Sequence, residues 1–344
     1  MVATGSASHE RGPMARERLV AVSYPVDDEF AEINTGVLGA DAHIAFLARL
    51  GEQERLESLR QAGALIAFRL GQELPDGALA ASPRLEFIQL LPAGADGVDF
   101  AAVPERLVLA SNVGAYAKPI AEHVMAMTLA LARRLPQRQA AMARGEFDQQ
   151  HLLHTLDGAV CAVLGFGGIG THTARLMRAF GAHIYAVNSS GHSAEPTDFT
   201  GTLADLGRVL TAADVVVISL PLTRATKGLI GARELRLMKP DAILVNVARA
   251  AIVDERALYE HLRDNPEFCA GIDTWWHEPG PNSGFYTDYP FLSLPNVIGS
   301  PHNSGIVAGV LQTAARMAAE NVRRYLHGEP ITGLVRREDY VLPD

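Results

Sequence analysis

Two cysteines among 344 residues, Cys161 and Cys269, are too few for a disulfide scaffold, and their spacing is not that of a zinc site. Both sit in apolar runs, AVCAVLG and EFCAGID, where desolvation keeps a thiol protonated and inert, so a reducing compartment is expected. No uninterrupted apolar stretch reaches the ~18 residues that a membrane helix needs. The first 17 residues, MVATGSASHERGPMARE, lack the apolar centre of a secretory signal and read as a flexible tail, which leaves a cytoplasmic protein as the expectation. Basic charge is also scarce: 30 Lys and Arg against 39 Asp and Glu give a net charge of −9. Non-specific attraction to nucleic acid or to an anionic bilayer therefore has no global support. There is no internal repeat, and no GxSxG elbow to pair with a histidine in hydrolysis.

What is present is an ordinary globular composition, 48% hydrophobic and 20% charged, in a chain long enough for about two domains. From Arg18, apolar runs (RLVAVSY, HIAFL, ALIAFRL, LEFIQLL, RLVLASN) alternate with amphipathic segments such as GEQERLESLRQA. That alternation predicts a parallel sheet flanked by helices, with the charge run from Glu52 to Arg60 as a solvated helix face. The segment Lys118 to Arg134 is apolar on nearly every helical face, which calls for burial on more than one side, inside the chain or between subunits. A polar, proline-punctuated stretch follows from Gln137 to Thr155. Its HLLH, His151 to His154, has no carboxylate or further histidine at ligand spacing, so no metal is expected. A second series then runs through AVCAVLG, HIYAVN, DVVVISLPL, AILVNVAR, FCAGIDTWW and NVIGSPH: six strands with helices between them, the content of a dinucleotide-binding domain.

Within it, Gly165, Gly167 and Gly170 form GxGxxG in the turn Gly165, Phe166, Gly167, Gly168, Ile169, Gly170. The hexamer alone is weak, but a β-branched strand leads in and an amphipathic helix leads out. The first glycine turns sharply, the second lets backbone approach a pyrophosphate, and the third allows close packing at the positive helix N-terminus. Where an NAD-selective site presents a carboxylate to the ribose, the next strand ends instead at Asn188, followed by Ser189, Ser190 and His192. These could accept a 2′-phosphate without repulsion, or Asn188 could serve as a neutral partner for an unphosphorylated ribose. The expected cofactor is NAD(H) or NADP(H), with NADP(H) favoured.

Three polar side chains punctuate the ends of later strands, where open parallel sheets bind ligands: Arg249, Glu278 and His302. Removing a hydride from a secondary alcohol requires a base for the hydroxyl proton, and histidine titrates near neutral pH. A neighbouring carboxylate favours the imidazolium and orients the ring, while a guanidinium fork suits a substrate carboxylate.

At these residues the chain resembles the D-isomer-specific 2-hydroxyacid dehydrogenase family, through LGFGGIG, SLPLTRATKGLI, NVARAAIVDERAL, AGIDTWWHEP and LPNVIGSPHNSG in the family's order, with LLPAGADGVDF and IAEHVMAMTLALAR upstream. The resemblance implies an α/β fold in which a Rossmann-type dinucleotide-binding domain (113–301) is inserted into a flavodoxin-like substrate domain (18–112 and 302–344), with the active site in the cleft between them. It implies His302 as acid/base, Glu278 as its carboxylate, and Arg249 as the substrate-binding arginine. The backbone N–H groups of Ala93 and Gly94 match the loop that receives the substrate carboxylate. Leu220, Pro221, Thr226, Val247, Ala248 and Asp273 match positions lining the nicotinamide and its ribose. The implied activity is NAD(P)-dependent interconversion of a small 2-keto acid and its D-2-hydroxy acid, in a homodimer formed through the Lys118–Arg134 region. The alternative on the same fold is a non-catalytic dinucleotide sensor resembling the family's corepressors. Departures are Ala248 and Ala250 in place of the usual glycines, a bulky Trp275 and Trp276, and a longer, aromatic loop PNSGFYTDYPF. For the tryptophans, packing beneath the loop competes with a narrowed wall of the substrate pocket. Formate dehydrogenases of the superfamily pair their histidine with glutamine and phosphite dehydrogenases carry lysine at the place of Ala93, so neither activity is expected.

Overall fold

The computed structural model describes residues 18–280 and 283–340; the expected tail, residues 1–17, lies outside them. The chain divides into two compact units. One comprises the residues up to Leu91 with Ala101–Ala110 and Ala315–Ile331, and the other Pro92–Phe100, Ser111–Ala314 and the residues from Thr332 on.

The first unit holds β1 (Leu19–Val22), β2 (His43–Phe46), β3 (Ala64–Ala67), β4 (Phe87–Leu90) and β5 (Val108–Ala110), all parallel in the order β2-β1-β3-β4-β5. This is the flavodoxin-like order. β3 and β4 are buried at every position, which is why they read as continuous apolar runs. Helix α1 (Asp28–Leu38) was not apparent in the sequence; Asp27 caps it by accepting the Phe30 N–H at 2.9 Å. Helix α2 (Glu52–Gln61) buries Leu59 alone, so its charge run is indeed a solvated face. The short α3 (Leu70–Glu73) completes the unit's early helices.

In the second unit, α4 (Ala117–Ala132) and α5 (Leu135–Ala143) precede the sheet. Pro136 stands in the first turn of α5, where a missing N–H costs nothing, so the proline expected to break structure begins a helix. The sheet's strands are β6 (Val160–Leu164), β7 (His183–Val187), β8 (Phe199–Gly201), β9 (Val215–Ile218), β10 (Ile243–Asn246), β11 (Cys269–Ile272) and β12 (Val297–Gly299), in the order β12-β11-β10-β9-β6-β7-β8. This is a Rossmann-type arrangement with seven strands rather than the six expected. β8 escaped notice because its three residues, FTG, offer no apolar run.

Side-chain alternation divides the core of this unit in two. Cys161, Val163, Val215, Val217, Ile243 and Val245 share one cluster with Val124, Met127 and Leu131 of α4 and Met177 of α6 (Gly168–Ala179). Ala162, Leu164, Val216, Ile218 and Leu244 share the other with Val209 of α7 (Leu206–Ala212), Leu235 of α8 (Ala232–Leu237) and Leu258 of α9 (Glu255–Asp264). Much of the apolar surface of α4 is thus used within the chain, where Ile120, Val124, Met125, Met127 and Leu131 are buried. Helix α10 (Val310–His327) follows the last strand.

Burial pushes the Cys161 thiol up to about 12 and raises that of Cys269 as well. A chromogenic disulfide reagent added to the native protein at neutral pH should therefore leave Cys161 unmodified until the protein unfolds. Rapid stoichiometric labelling of Cys161 would contradict the packing described.

Candidate functional site

The sheet order reverses between β6 and β9, which are neighbours although β7 and β8 intervene in the chain. Ligands of open parallel sheets bind outside the carboxyl ends of strands at such a switch point. Gly165 ends β6 there with φ +95°, and a Cβ on it would lie 2.6 Å from the Leu220 nitrogen beyond β9. A Cβ at Gly170 would strike the Gly165 carbonyl and lie 3.0 Å from Val163 Cγ1, so helix α6 can approach β6 only with glycine there. Gly167 differs: a Cβ there would meet no described atom within 4 Å. The open position faces the start of a twelve-residue helix, whose first-turn N–H groups have no intrahelical acceptor. Sharp turn, open second glycine and free helix N-terminus fit the pyrophosphate of a dinucleotide.

The other residues expected around a cofactor fall into two groups. Leu220 and Pro221 stand at the mouth of β9, and Val247 and Ala248 continue β10 as buried residues. Asn188, Thr226 and Asp273, by contrast, use their polar atoms to shape their own loops. The Asn188 amide donates to the His192 carbonyl at 2.7 Å, and its oxygen accepts from Gly191 N–H at 2.8 Å and from Ser190 N–H and Oγ at 3.1 Å. Ser189 is exposed on that turn. Thr226 Oγ1 donates to the Pro221 carbonyl at 2.6 Å and accepts from Thr223 N–H at 2.8 Å.

Asp273, fully buried at the end of β11, holds the turn that follows β12. Its carboxylate accepts from Ser300 Oγ at 2.5 Å, Asn303 N–H at 3.1 Å and Ser304 N–H at 3.3 Å, while its carbonyl accepts His302 N–H at 2.8 Å. His123 of α4 stands 2.9 Å from the Ser300 hydroxyl beneath the same turn. The turn forces His302 to φ +50°, a left-handed conformation costing a β-carbon residue about 1–3 kcal/mol.

Held in that way, His302 sets Nδ1 2.8 Å from Glu278 Oε2. The other carboxylate oxygen accepts Trp275 N–H at 3.0 Å. Burial alone would raise the Glu278 carboxyl, but the His302 and Trp275 hydrogen bonds, aided by the charges of His302 and Arg249, outweigh it and hold the group below the usual carboxylate range. With Nδ1 committed to Glu278, Nε2 is the ring nitrogen left to exchange a proton with a ligand.

Arg249, one residue beyond Ala248, is fixed on two sides. Its Nε donates to Asp96 Oδ2 at 2.7 Å and its Nη1 to the Ala248 carbonyl at 2.8 Å. Its Nη2 passes over Gly94, where a Cβ would lie 2.5 Å from that nitrogen and 2.6 Å from Asp96 Oδ1. The arginine and the Ala93–Gly94 backbone expected to receive an anion are therefore brought together, and Asp96, absent from the sequence reading, is the clamp. Glu278, His302 and Arg249 thus form one electrostatically linked set.

The two tryptophans take the packing role. Trp275 Nε1 donates to the Ser300 carbonyl at 2.8 Å, and Trp276 stacks on Phe291 with centroids 5.4 Å apart while donating to the Val253 carbonyl at 2.9 Å. Glu255, His277 and Asp288 bring ligand-type atoms within 4.8 Å of one another. Contacts within that group suffice to join the aromatic loop to α9, since His277 Nε2 lies 3.3 Å from Asp288 and Asp288 N–H donates to Glu255 at 3.2 Å.

Parallel strands ending in a glycine turn, an imidazole–carboxylate pair and a clamped arginine are the arrangement of a nicotinamide-type oxidoreductase scaffold. The model of the NAD-binding domain of D-isomer specific 2-hydroxyacid dehydrogenases matches residues 125–304. A D-3-phosphoglycerate dehydrogenase of Methanocaldococcus jannaschii is 30% identical over 308 residues, covering 88% of this chain and 57% of that protein. This chain thus spans little more than half the length of that relative. A glyoxylate reductase of Thermococcus gammatolerans is 30% identical over 292 residues, 82% of this chain and 85% of that one. Among solved structures, a candidate formate dehydrogenase of Pyrobaculum aerophilum superposes with TM-score 0.79 at 30% identity, covering 93% of this chain and 99% of that one. The chain belongs to the D-isomer specific 2-hydroxyacid dehydrogenase family.

The glycine environments separate site from scaffold. Gly94→Ala meets only the tips of Arg249 and Asp96, which can swing away, so its thermal midpoint should match the parent's. Gly170→Ala meets backbone and should lose about 1–3 kcal/mol in denaturant unfolding. Equal stability of the two variants would refute this assignment.

Proposed function

We propose that the protein is an NAD(P)-dependent oxidoreductase that interconverts a small 2-keto acid and its D-2-hydroxy acid. The observation that carries this reading is the His302–Glu278 contact at 2.8 Å on the side of the sheet where Arg249 is clamped beside Gly94. The dinucleotide, when bound at the Gly165–Gly170 turn, supplies or accepts the hydride. In reduction, Arg249 and the N–H groups of Ala93 and Gly94 hold the substrate carboxylate, and His302 Nε2 delivers a proton to the C2 oxygen as negative charge develops there. In oxidation the same nitrogen removes the hydroxyl proton. Glu278 keeps the ring oriented through Nδ1.

The named relatives act on glyoxylate and on 3-phosphoglycerate by their titles, and a carboxylate is what these share. Glutamate rather than glutamine beside His302 argues against formate as substrate, whatever the Pyrobaculum protein does. NADP(H) is the favoured cofactor because no carboxylate ends β7, Asn188 is engaged in its turn, and the exposed Ser189 lies beside it. The substrate domain would follow the sheet β1–β5 (18–112 with 302–344) and the cofactor domain β6–β12 (113–301). A homodimer through the Lys118–Arg134 region is supported by the exposed apolar side chains Leu135, Met142, Phe147 and Leu152 in the segment between α4 and β6. A cytoplasmic location fits two unpaired buried thiols; among the described residues no helix is long and apolar enough to cross a membrane. No observation favours the corepressor-like alternative.

His302→Ala should lower keto-acid turnover by about 10²–10⁴-fold while dinucleotide binding is retained. Glu278→Ala removes the acceptor that holds Nδ1 and orients the ring, so it should also lower turnover while dinucleotide binding is retained. Wild-type turnover in either variant would overturn these roles.

Glyoxylate, hydroxypyruvate, pyruvate and bulkier keto acids, assayed in parallel with NADH and NADPH, test the reading as a whole. Failure of every keto acid rejects it. An NADH preference above about tenfold, ~1.4 kcal/mol, rejects the cofactor preference.

A further inference from the structure

The last described residues, which no motif of the sequence draws attention to, return to the substrate loop. Gly333 anchors this segment: its carbonyl accepts Ser111 N–H at 2.8 Å, and at φ +72° a Cβ on it would overlap the Ser111 carbonyl. Farther on, the Asp339 carbonyl accepts Arg224 N–H at 2.9 Å. Directly after the second tie the segment delivers Tyr340 onto Phe100, with ring centroids 5.2 Å apart and planes inclined by 29°.

Phe100 is buried and ends the stretch Pro92–Phe100, the same stretch that carries Gly94 and Asp96. That stretch contains no helix or strand. Two backbone bonds hold it, Asn112 N–H to the Pro92 carbonyl at 2.9 Å and Val98 N–H to the Ala95 carbonyl at 3.1 Å, so side-chain contacts carry much of its order, and two of its nine residues, Gly94 and Gly97, resist ordering most strongly. Burial raises the Tyr340 hydroxyl, the charges of Asp96 and Asp339 raise it further, and Arg249 lowers it, which puts the ring within electrostatic reach of the Asp96–Arg249 clamp.

We propose that residues 332–340 form a strap across the substrate loop, in which Tyr340 is a positioning residue for Arg249, acting through its stack on Phe100 and thence through Asp96. The role rests on the reading of Arg249 as the fork for a substrate carboxylate. Aromatic pairs contribute beyond their buried area, and small displacements of a binding fork weaken capture of the anion before they touch proton delivery by His302. The Tyr340 ring therefore acts first on the anionic substrate, since its stack lies on the stretch that carries Gly94 and Asp96, whereas the tie to Arg224 is made by the Asp339 backbone.

Tyr340→Ala should raise the KM for the preferred keto acid about tenfold, leave kcat and the dinucleotide Kd within about twofold of the parent, and speed amide exchange over residues 92–100. Tyr340→Phe preserves the stack and should behave as the parent in all three. An unchanged KM in Tyr340→Ala overturns the proposal, as does a Tyr340→Phe variant impaired to the same degree, which would assign the effect to the hydroxyl. Should Tyr340→Ala fold poorly, Tyr340→Leu keeps bulk without the ring and carries the same expectation. Amide exchange is read without turnover, so unchanged exchange rejects the strap, whereas a parent enzyme inert to keto acids rejects the proposed activity alone.

Discussion

A single buried carboxylate organises the chemistry of the second unit. Asp273 lies at the end of β11 with no solvent exposure, where an anion without partners would be very costly. Three donors from the Ser300–Ser304 turn satisfy it, and its own carbonyl fixes the His302 N–H. The left-handed backbone of His302 persists because these bonds over-determine it. Ring direction, the reach of Nδ1 to Glu278, and the availability of Nε2 all depend on that turn.

The sheet supplies what the turn cannot. In a parallel sheet every carboxyl end lies on one edge, so residues that follow β6, β9, β10, β11 and β12 emerge side by side despite wide separation in the chain. The glycine turn, Leu220, Arg249, Glu278 and His302 are those residues. Clamping Arg249 to Asp96 adds a constraint of another kind, since it ties the loop Pro92–Phe100 to the end of β10. The guanidinium is thereby oriented before any ligand arrives.

How much of this could be read from the chain follows from the range of each interaction. Most strands of the two sheets announce themselves as apolar runs because nearly every position in them is buried, whereas β8, FTG, offers no apolar run. Helix α5 was obscured by Pro136, whose meaning depends on whether it stands in the first turn or the interior of a helix. Gly165–Gly170, Arg249, Glu278 and His302 were legible because their motifs are local and ordered. Motifs mark positions, however, and not the hydrogen bonds a side chain makes there: Asn188, Thr226 and Asp273, matched to positions around a cofactor, also use their polar atoms to hold loops together. Asp96 and Arg249 are 153 positions apart, and no local pattern could have paired them. The same holds for His123 and Ser300, separated by 177 positions.

The aromatic residues behind the histidine are mutually adjusted about the same turn. The bulky indole of Trp275 finds room because residue 299 is glycine: a Cβ there would lie 2.7 Å from Trp275 Cζ2. The indole N–H then binds the Ser300 carbonyl and adds a support to the turn Asp273 already holds. Its backbone N–H meanwhile binds Glu278, so one residue braces both members of the imidazole–carboxylate pair. The aromatic loop closes over this arrangement through Phe285, whose ring meets Trp275 edge-on at 5.3 Å. Bulk at position 275 is therefore spent on rigidity behind the histidine, and the aromatic loop is coupled through Phe285 to the turn that carries it.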